Sequence, residues 1–138
     1  MTKNEMIEFI NANPTCFLAT SEGDQPHVRA IMTFRADESG VVFITGTGKD
    51  LNRQLLSNPK AELCYYSNEK GMQLRLSGSL EKSDDEALKN EIIEKFTFLK
   101  PVAEQEGLGA LTVWRLPHGS AVVWSYESPT APKKPFAF

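Results

Sequence analysis

The sequence predicts a mainly β protein with flanking helices, built as a small antiparallel barrel with the helices packed outside. Three observations carry this. Short apolar runs follow one another with turn residues between them, which favours pairing between sequence neighbours. Met72, Leu74, Leu76 and Leu80 alternate with polar residues, the period of a half-buried strand. Apolar residues at helical spacing occur in only a few stretches, so helices are the minority.

Taken in order, Thr2-Lys3-Asn4-Glu5 is a capping box, followed at helical spacing by Met6, Ile7, Phe9 and Ile10; Pro14 stops that helix. Residues 16–21 read as a strand, 22–26 as a turn and 27–34 as a second strand, together a hairpin. The turn Asp37-Glu38-Ser39-Gly40 leads into a third strand, 41–45, and a short helix, 51–56, that Asn58-Pro59 ends. Residues 61–67 and 72–80 are strands around a turn at 68–71. Ser83-Asp84-Asp85-Glu86 opens a longer helix with Leu88, Ile92, Phe96 and Leu99 on one face. Residues 111–116 and 121–126 form a closing hairpin around Pro117-His118-Gly119. The expected organisation is one domain, 1–128, and an extended tail, 129–138, that docks through Phe136 and Phe138.

A chain of 138 residues is long enough to bury roughly two-thirds of its unfolded surface around one core. Its net charge of −3 argues against nucleic acid as a partner. No stretch approaches the ~18 apolar residues of a membrane span. Met1-Thr2-Lys3-Asn4-Glu5 lacks the basic and apolar regions of a signal peptide, so the expectation is a cytoplasmic protein with no membrane partner. Cys16 and Cys64 lie in separate apolar runs and are expected to be small core hydrophobes. The isolated cysteines and histidines show no metal-ligand spacing, and no base stands near either cysteine in sequence.

The stretch Phe43-Ile44-Thr45-Gly46-Thr47-Gly48-Lys49-Asp50-Leu51 carries the strongest chemical signal. A strand ends in two hydroxyls, two glycines and a lysine, and a helix starts directly afterwards. Glycines let backbone N–H groups approach an anion, threonines donate hydrogen bonds, Lys49 supplies a point charge and the helix N-terminus a favourable dipole. The alternative is a strand-to-helix connection whose glycines only permit the turn. The G-x-x-x-x-G-K-[ST] spacing of a P-loop is absent.

Four features, in order and with suitable gaps over residues 6–126, make the chain similar to the pyridoxamine 5′-phosphate oxidase-like family of FMN-binding split barrels. They are Arg29-Ala30-Ile31-Met32-Thr33-Phe34; Val42-Phe43-Ile44-Thr45 with its loop, Lys49, Leu55 and Asn58-Pro59; Gln73-Leu74-Arg75-Leu76-Ser77-Gly78; and Trp114-Arg115-Leu116-Pro117 leading to Trp124. The resemblance implies a split barrel holding FMN non-covalently between two copies of the chain, a homodimer. It puts Arg29 and Lys49 on the FMN phosphate, with a hydroxyl added by Thr47. Ala30, Ile31 and Met32 would line the isoalloxazine, Ile44 and Thr45 the ring and ribityl chain, and Gln73 and Trp124 would reach the flavin from the second subunit.

Each residue also has a plainer reading. Arg29 can be a surface arginine, Gln73 can face solvent, and Trp124 can fill a core or interface. The chain departs from the vitamin oxidases themselves. Phe34 stands where they carry a lysine, Gly48 replaces an arginine, helix 87–98 holds no arginine, and none follows Trp124. The expected activity is therefore an FMN-dependent oxidoreductase acting on another small molecule, with no side chain standing out as a general acid or base. The alternatives are a flavin carrier or electron-transfer module, a haem- or tetrapyrrole-binding member of the same barrel group using His27 or His118, and a deazaflavin-dependent reductase, whose usually more basic phosphate groove this acidic chain does not suggest.

Overall fold

The computed structural model describes residues 1–138. Helix α1 (Lys3–Ala12) opens with the Thr2 hydroxyl accepting the Glu5 N–H at 3.1 Å, and Met6, Phe9 and Ile10 are its buried face. There follow β1 (Thr15–Glu22), β2 (Gln25–Met32), β3 (Arg35–Asp37), β4 (Gly40–Gly46), α2 (Asp50–Ser57), β5 (Lys60–Ser67), β6 (Met72–Ser79) and β7 (Glu81–Ser83). The chain ends with α3 (Glu86–Lys95), α4 (Lys100–Glu106), β8 (Leu111–Leu116), β9 (Ser120–Ser125) and β10 (Phe136–Ala137). No helix is long and apolar enough to cross a membrane.

The strands form two antiparallel sheets rather than one closed barrel: six strands in the order β10-β9-β6-β5-β1-β2, and four in the order β3-β4-β8-β7. Their facing sides meet in a core of Leu18, Leu63, Tyr65, Leu74 and Leu76 from the large sheet and Val41, Phe43, Trp114 and Leu116 from the small one. Helices α1 and α2 add Phe9, Ile10, Leu51 and Leu55 to this core. A second, smaller core of Phe34, Val42, Leu88, Ile92 and Val113 lies under α3.

Several expectations are corrected. The run 27–34 does not stay in one strand. The Thr33 N–H and hydroxyl both donate to the Pro14 carbonyl, at 2.9 and 3.0 Å, and the chain crosses there to the small sheet. Strands β8 and β9 are not a hairpin: β8 pairs with β4 and β7, β9 with β6 and β10. Apolar alternation marks a strand without naming its partner, and here Pro117-His118-Gly119 carries the chain between sheets. The longer helix stops at Lys95, where Phe96 leaves the helical conformation at ψ 75°; a 3-10 turn (Thr97–Leu99), whose Thr97 carbonyl accepts from the Lys100 N–H, and α4, with Pro101 in its first turn, follow. Its N-cap is Asp85, which accepts from the Leu88 N–H at 3.1 Å, while Ser83 closes only a local turn. The tail adds β10 to the edge of the large sheet, with Phe136 and Phe138 against the core.

Cys16 is a buried core residue, as expected, but Cys64 points outward and is half-buried. Burial pushes the Cys16 thiol up to about 12 and raises the Tyr65 phenol well above its ordinary value. Both groups are held protonated by the fold, so their contribution is complete below their unfolded values and is lost as pH rises toward the folded ones. Between about pH 9 and 12 the Cys16 contribution therefore falls steadily as pH rises. Urea denaturation at intervals through that window is expected to show the decline, and Cys16→Ala to flatten it. An unchanged alkaline slope in Cys16→Ala would assign the decline elsewhere.

Candidate functional site

Strand β4 ends at Gly46, and the loop Thr47-Gly48-Lys49 delivers the chain to α2. Neither loop glycine has a positive φ, so the turn itself does not demand them. The Lys49 stem lies over Gly46: a Cβ there would meet it in ordinary contact, 3.4 Å from Cγ and 3.7 Å from Cδ and Cε. Lys49 occupies the N-cap of α2, its N–H donating to the Gly46 carbonyl at 3.1 Å. Its ammonium is exposed and makes no ion pair, which leaves it free for an anion.

Arg29 comes from the edge strand β2. Its guanidinium donates to the Leu18 carbonyl at 3.3 Å, to the Thr20 hydroxyl at 2.8 Å and to Gln54 Oε1. Gln54 and Thr20 are buried and bonded to each other, so the arginine is braced from both β1 and α2. Partial burial lowers its pKa and Asp50 opposes this; the guanidinium stays cationic at neutral pH. Asp50 is itself paired with Arg53, at 3.3 Å.

Arg29 and Lys49 border one hollow of about 470 Å³, together with His27, Ala30, Ile31, Thr45 and the first turn of α2. A second, more apolar hollow of about 260 Å³ shares Ala30, Ile31, Thr45 and Lys49 with it, and adds Met32, Ile44, Phe96, Phe98, Leu99 and Leu111. Seven of the ten expected site residues thus meet in two adjoining hollows: Arg29, Ala30, Ile31, Met32, Ile44, Thr45 and Lys49. The larger neighbouring hollow, about 550 Å³, joins them through Met32 and Phe96. There Phe34 is flanked by Arg35 at 5.1 Å and Lys95 at 5.3 Å, with Phe96 edge-on at 5.9 Å.

The other three residues lie elsewhere. Thr47 borders neither hollow; its hydroxyl donates to the Gly109 carbonyl at 2.7 Å and lies 2.8 Å from the Thr112 hydroxyl. Gln73 and Trp124 are cross-strand partners on β6 and β9. Strands β1 and β5 stand between them and β2, so Gln73 is roughly 14 Å away at ~4.8 Å per strand. The registers place both on the outer face of the large sheet, with the exposed Phe17, Val28, Met32 and Tyr66. Contributors missed in the sequence include Gln54, Thr20, Phe96 and Phe98. Gln54 was visible in principle as an amide on the Leu51–Leu55 stripe of a helix; Phe98 follows the helix break and carried no periodic signal.

A model of the pyridoxamine 5′-phosphate oxidase family matches residues 2–117. A pyridoxine/pyridoxamine 5′-phosphate oxidase of Burkholderia mallei (strain SAVP1) is 38% identical over 73 residues, which are 52% of this chain and 34% of that protein. The alignment thus spans about a third of the length of such curated relatives. Among solved structures, a nimc/nima family protein of Clostridium acetobutylicum superposes with a TM-score of 0.79 at 25% identity, covering 99% of this chain and 93% of that one. A heme binding protein of Mycobacterium smegmatis superposes at 0.72 with 14% identity, over 99% of this chain and 58% of that one, and so shares the fold. With a split two-sheet architecture and a family match over most of its length, the chain belongs to the pyridoxamine 5′-phosphate oxidase family.

Proposed function

We propose that the protein binds FMN and is an oxidoreductase acting on a small molecule. One observation carries this reading: a fixed arginine and an unpaired lysine converge on one hollow that continues into an apolar wall. That is the donor set a doubly charged phosphate joined to a flat ring requires. Arg29 and Lys49 bind the phosphate, the N-terminus of α2 adds its dipole, and Thr45 and Ile44 border the ribityl and ring positions. Met32, Phe96 and Leu99 keep water from the ring, and the hollow beside Phe34 offers space for a second reactant. When bound, FMN would supply hydride or electron transfer; the chain's residues orient the reactants and exclude solvent.

The reading includes a homodimer. A second copy seated on the outer face of the large sheet would cover Phe17, Val28 and Met32 and could carry Gln73 and Trp124 to its partner's hollow. Mass spectrometry of the small molecule released on denaturing the purified protein is expected to give FMN. Sedimentation is expected to show a dimer that added FMN stabilises against dilution. A holoprotein that stays monomeric at every concentration removes Gln73 and Trp124 from the site.

A second reading, haem or another tetrapyrrole, has one observation in its favour: His27 borders the larger of the two adjoining hollows. A Soret band in place of the oxidised-flavin bands would support it. Turnover with NAD(P)H and an electron acceptor separates an enzyme from a flavin carrier.

A further inference from the structure

The resemblance puts the Thr47 hydroxyl on the phosphate, yet although the residue is exposed, each of its polar groups is bonded to another group of the chain. Its N–H donates to the Ala110 carbonyl at 2.8 Å, and its carbonyl accepts from Asn52 Nδ2 at 3.0 Å. Its single hydroxyl proton goes to the Gly109 carbonyl, so toward Thr112 it acts as acceptor. A phosphate oxygen is an acceptor and has no proton to receive there. Behind Thr47, Asn52 Oδ1 accepts the indole N–H of Trp114 at 3.1 Å. Asn52 and Trp114 are each only 3% exposed, so this amide–indole bond is shielded from competing water.

We propose that Trp114, Asn52 and Thr47 form a relay that sets the position of Lys49 for the cofactor phosphate; the three are positioning residues. The proposal rests on the FMN reading above. The geometry supplies the reason. Between Gly46 and Asp50 the loop has one internal bond, from the Lys49 N–H to the Gly46 carbonyl. Beyond it, the Lys49 carbonyl accepts from the Arg53 N–H at 3.2 Å and Gly46 pairs with Leu111; the loop's remaining links to the rest of the fold pass through Thr47. The relay ties the loop to β8 through Trp114 and Thr112, to α2 through Asn52, and to residues 109–110. The lysine stem is long and flexible, so only its Cα and the surface of Gly46 can place the ammonium. A loop that drifts loses the phosphate contact before it loses the ring contacts made by β2 and β4.

The test compares FMN with riboflavin, which lacks the phosphate, on Thr47→Val, Thr47→Ser and Trp114→Phe, with melting curves alongside. The expected result is that Thr47→Val and Trp114→Phe weaken FMN about three- to tenfold while riboflavin moves less than about twofold. Thr47→Ser restores the hydroxyl and the affinity. Equal weakening of both flavins, or of neither, overturns the relay as a phosphate-positioning device. Loss of FMN in Thr47→Val with none in Trp114→Phe also overturns it, in favour of direct contact by the hydroxyl. A parent protein that takes up no FMN overturns the cofactor reading, and the proposal with it. If Thr47→Val fails to fold, Trp114→Phe and Thr47→Ser decide the question.

Discussion

Lys49→Ala is expected to weaken FMN binding roughly ten- to a hundredfold, because a charge-assisted phosphate contact contributes about 1.5–3 kcal/mol. The fold should be almost unaffected: the ammonium has no ion-pair partner, and its stem only covers Gly46. Arg29→Ala should lose a similar amount, with a different accompaniment. Arg29 satisfies Leu18, Thr20 and Gln54, so its removal frees acceptors that are partly shielded from water, and some stability goes as well. Two cations on one anion are not independent, so the double variant should differ from the sum of the singles. Titration of apoprotein with FMN across the four proteins measures this. Strict additivity with small single effects would put the phosphate outside the hollow these two residues share.

Gly40→Ala is expected to cause the largest loss of stability of any single change discussed. Gly40 has φ +117°, and a Cβ there would lie 2.1 Å from the Leu116 carbonyl oxygen and 2.7 Å from the Pro117 Cα. Both contacts are backbone, which cannot rotate out of the way. Backbone strain of about 1–3 kcal/mol and overpacking of similar size add, so a loss of about 3 kcal/mol or more follows. That is a large share of the ~5–15 kcal/mol that holds a domain together, and a fall of roughly 10 °C or more in melting temperature. Gly23→Ala is the control: it also has positive φ, +61°, but nothing lies within 4 Å of its Cβ. Its cost is the backbone alone. Similar melting temperatures for Gly40→Ala and the parent would mean that β3, β4 and β8 do not pack as closely as the geometry requires.

Much of this molecule was legible in the residue order, because much of it is governed by local chemistry. Thr2 capping α1, Asn58-Pro59 ending α2 and the alternation along β6 act within a few residues of themselves. The strand end, loop and helix start from Ile44 to Asp50 were legible for the same reason, being contiguous; the anion-site reading of that loop belongs to the proposal. Arg29 and Lys49, twenty positions apart, needed the family resemblance to be paired, and the fold does bring them to one hollow.

Partnership and facing were decided only by the tertiary structure. Residues 111–116 and 121–126 are strands by pattern, but which sheet each joins depends on long-range pairing that no local period encodes. Thr33 turns the chain between sheets because Pro14, nineteen positions earlier, is there to accept its proton. Thr47 reads in sequence as a ligand because it stands beside Lys49 between a strand end and a helix start; Gly109 and Thr112, more than sixty positions on, claim its hydroxyl. Gln54 is an ordinary helix amide until β1 and β2 place Thr20 and Arg29 against it. Spacing along a chain specifies what each residue can donate or accept, and the packing of the two sheets decides which partner it meets.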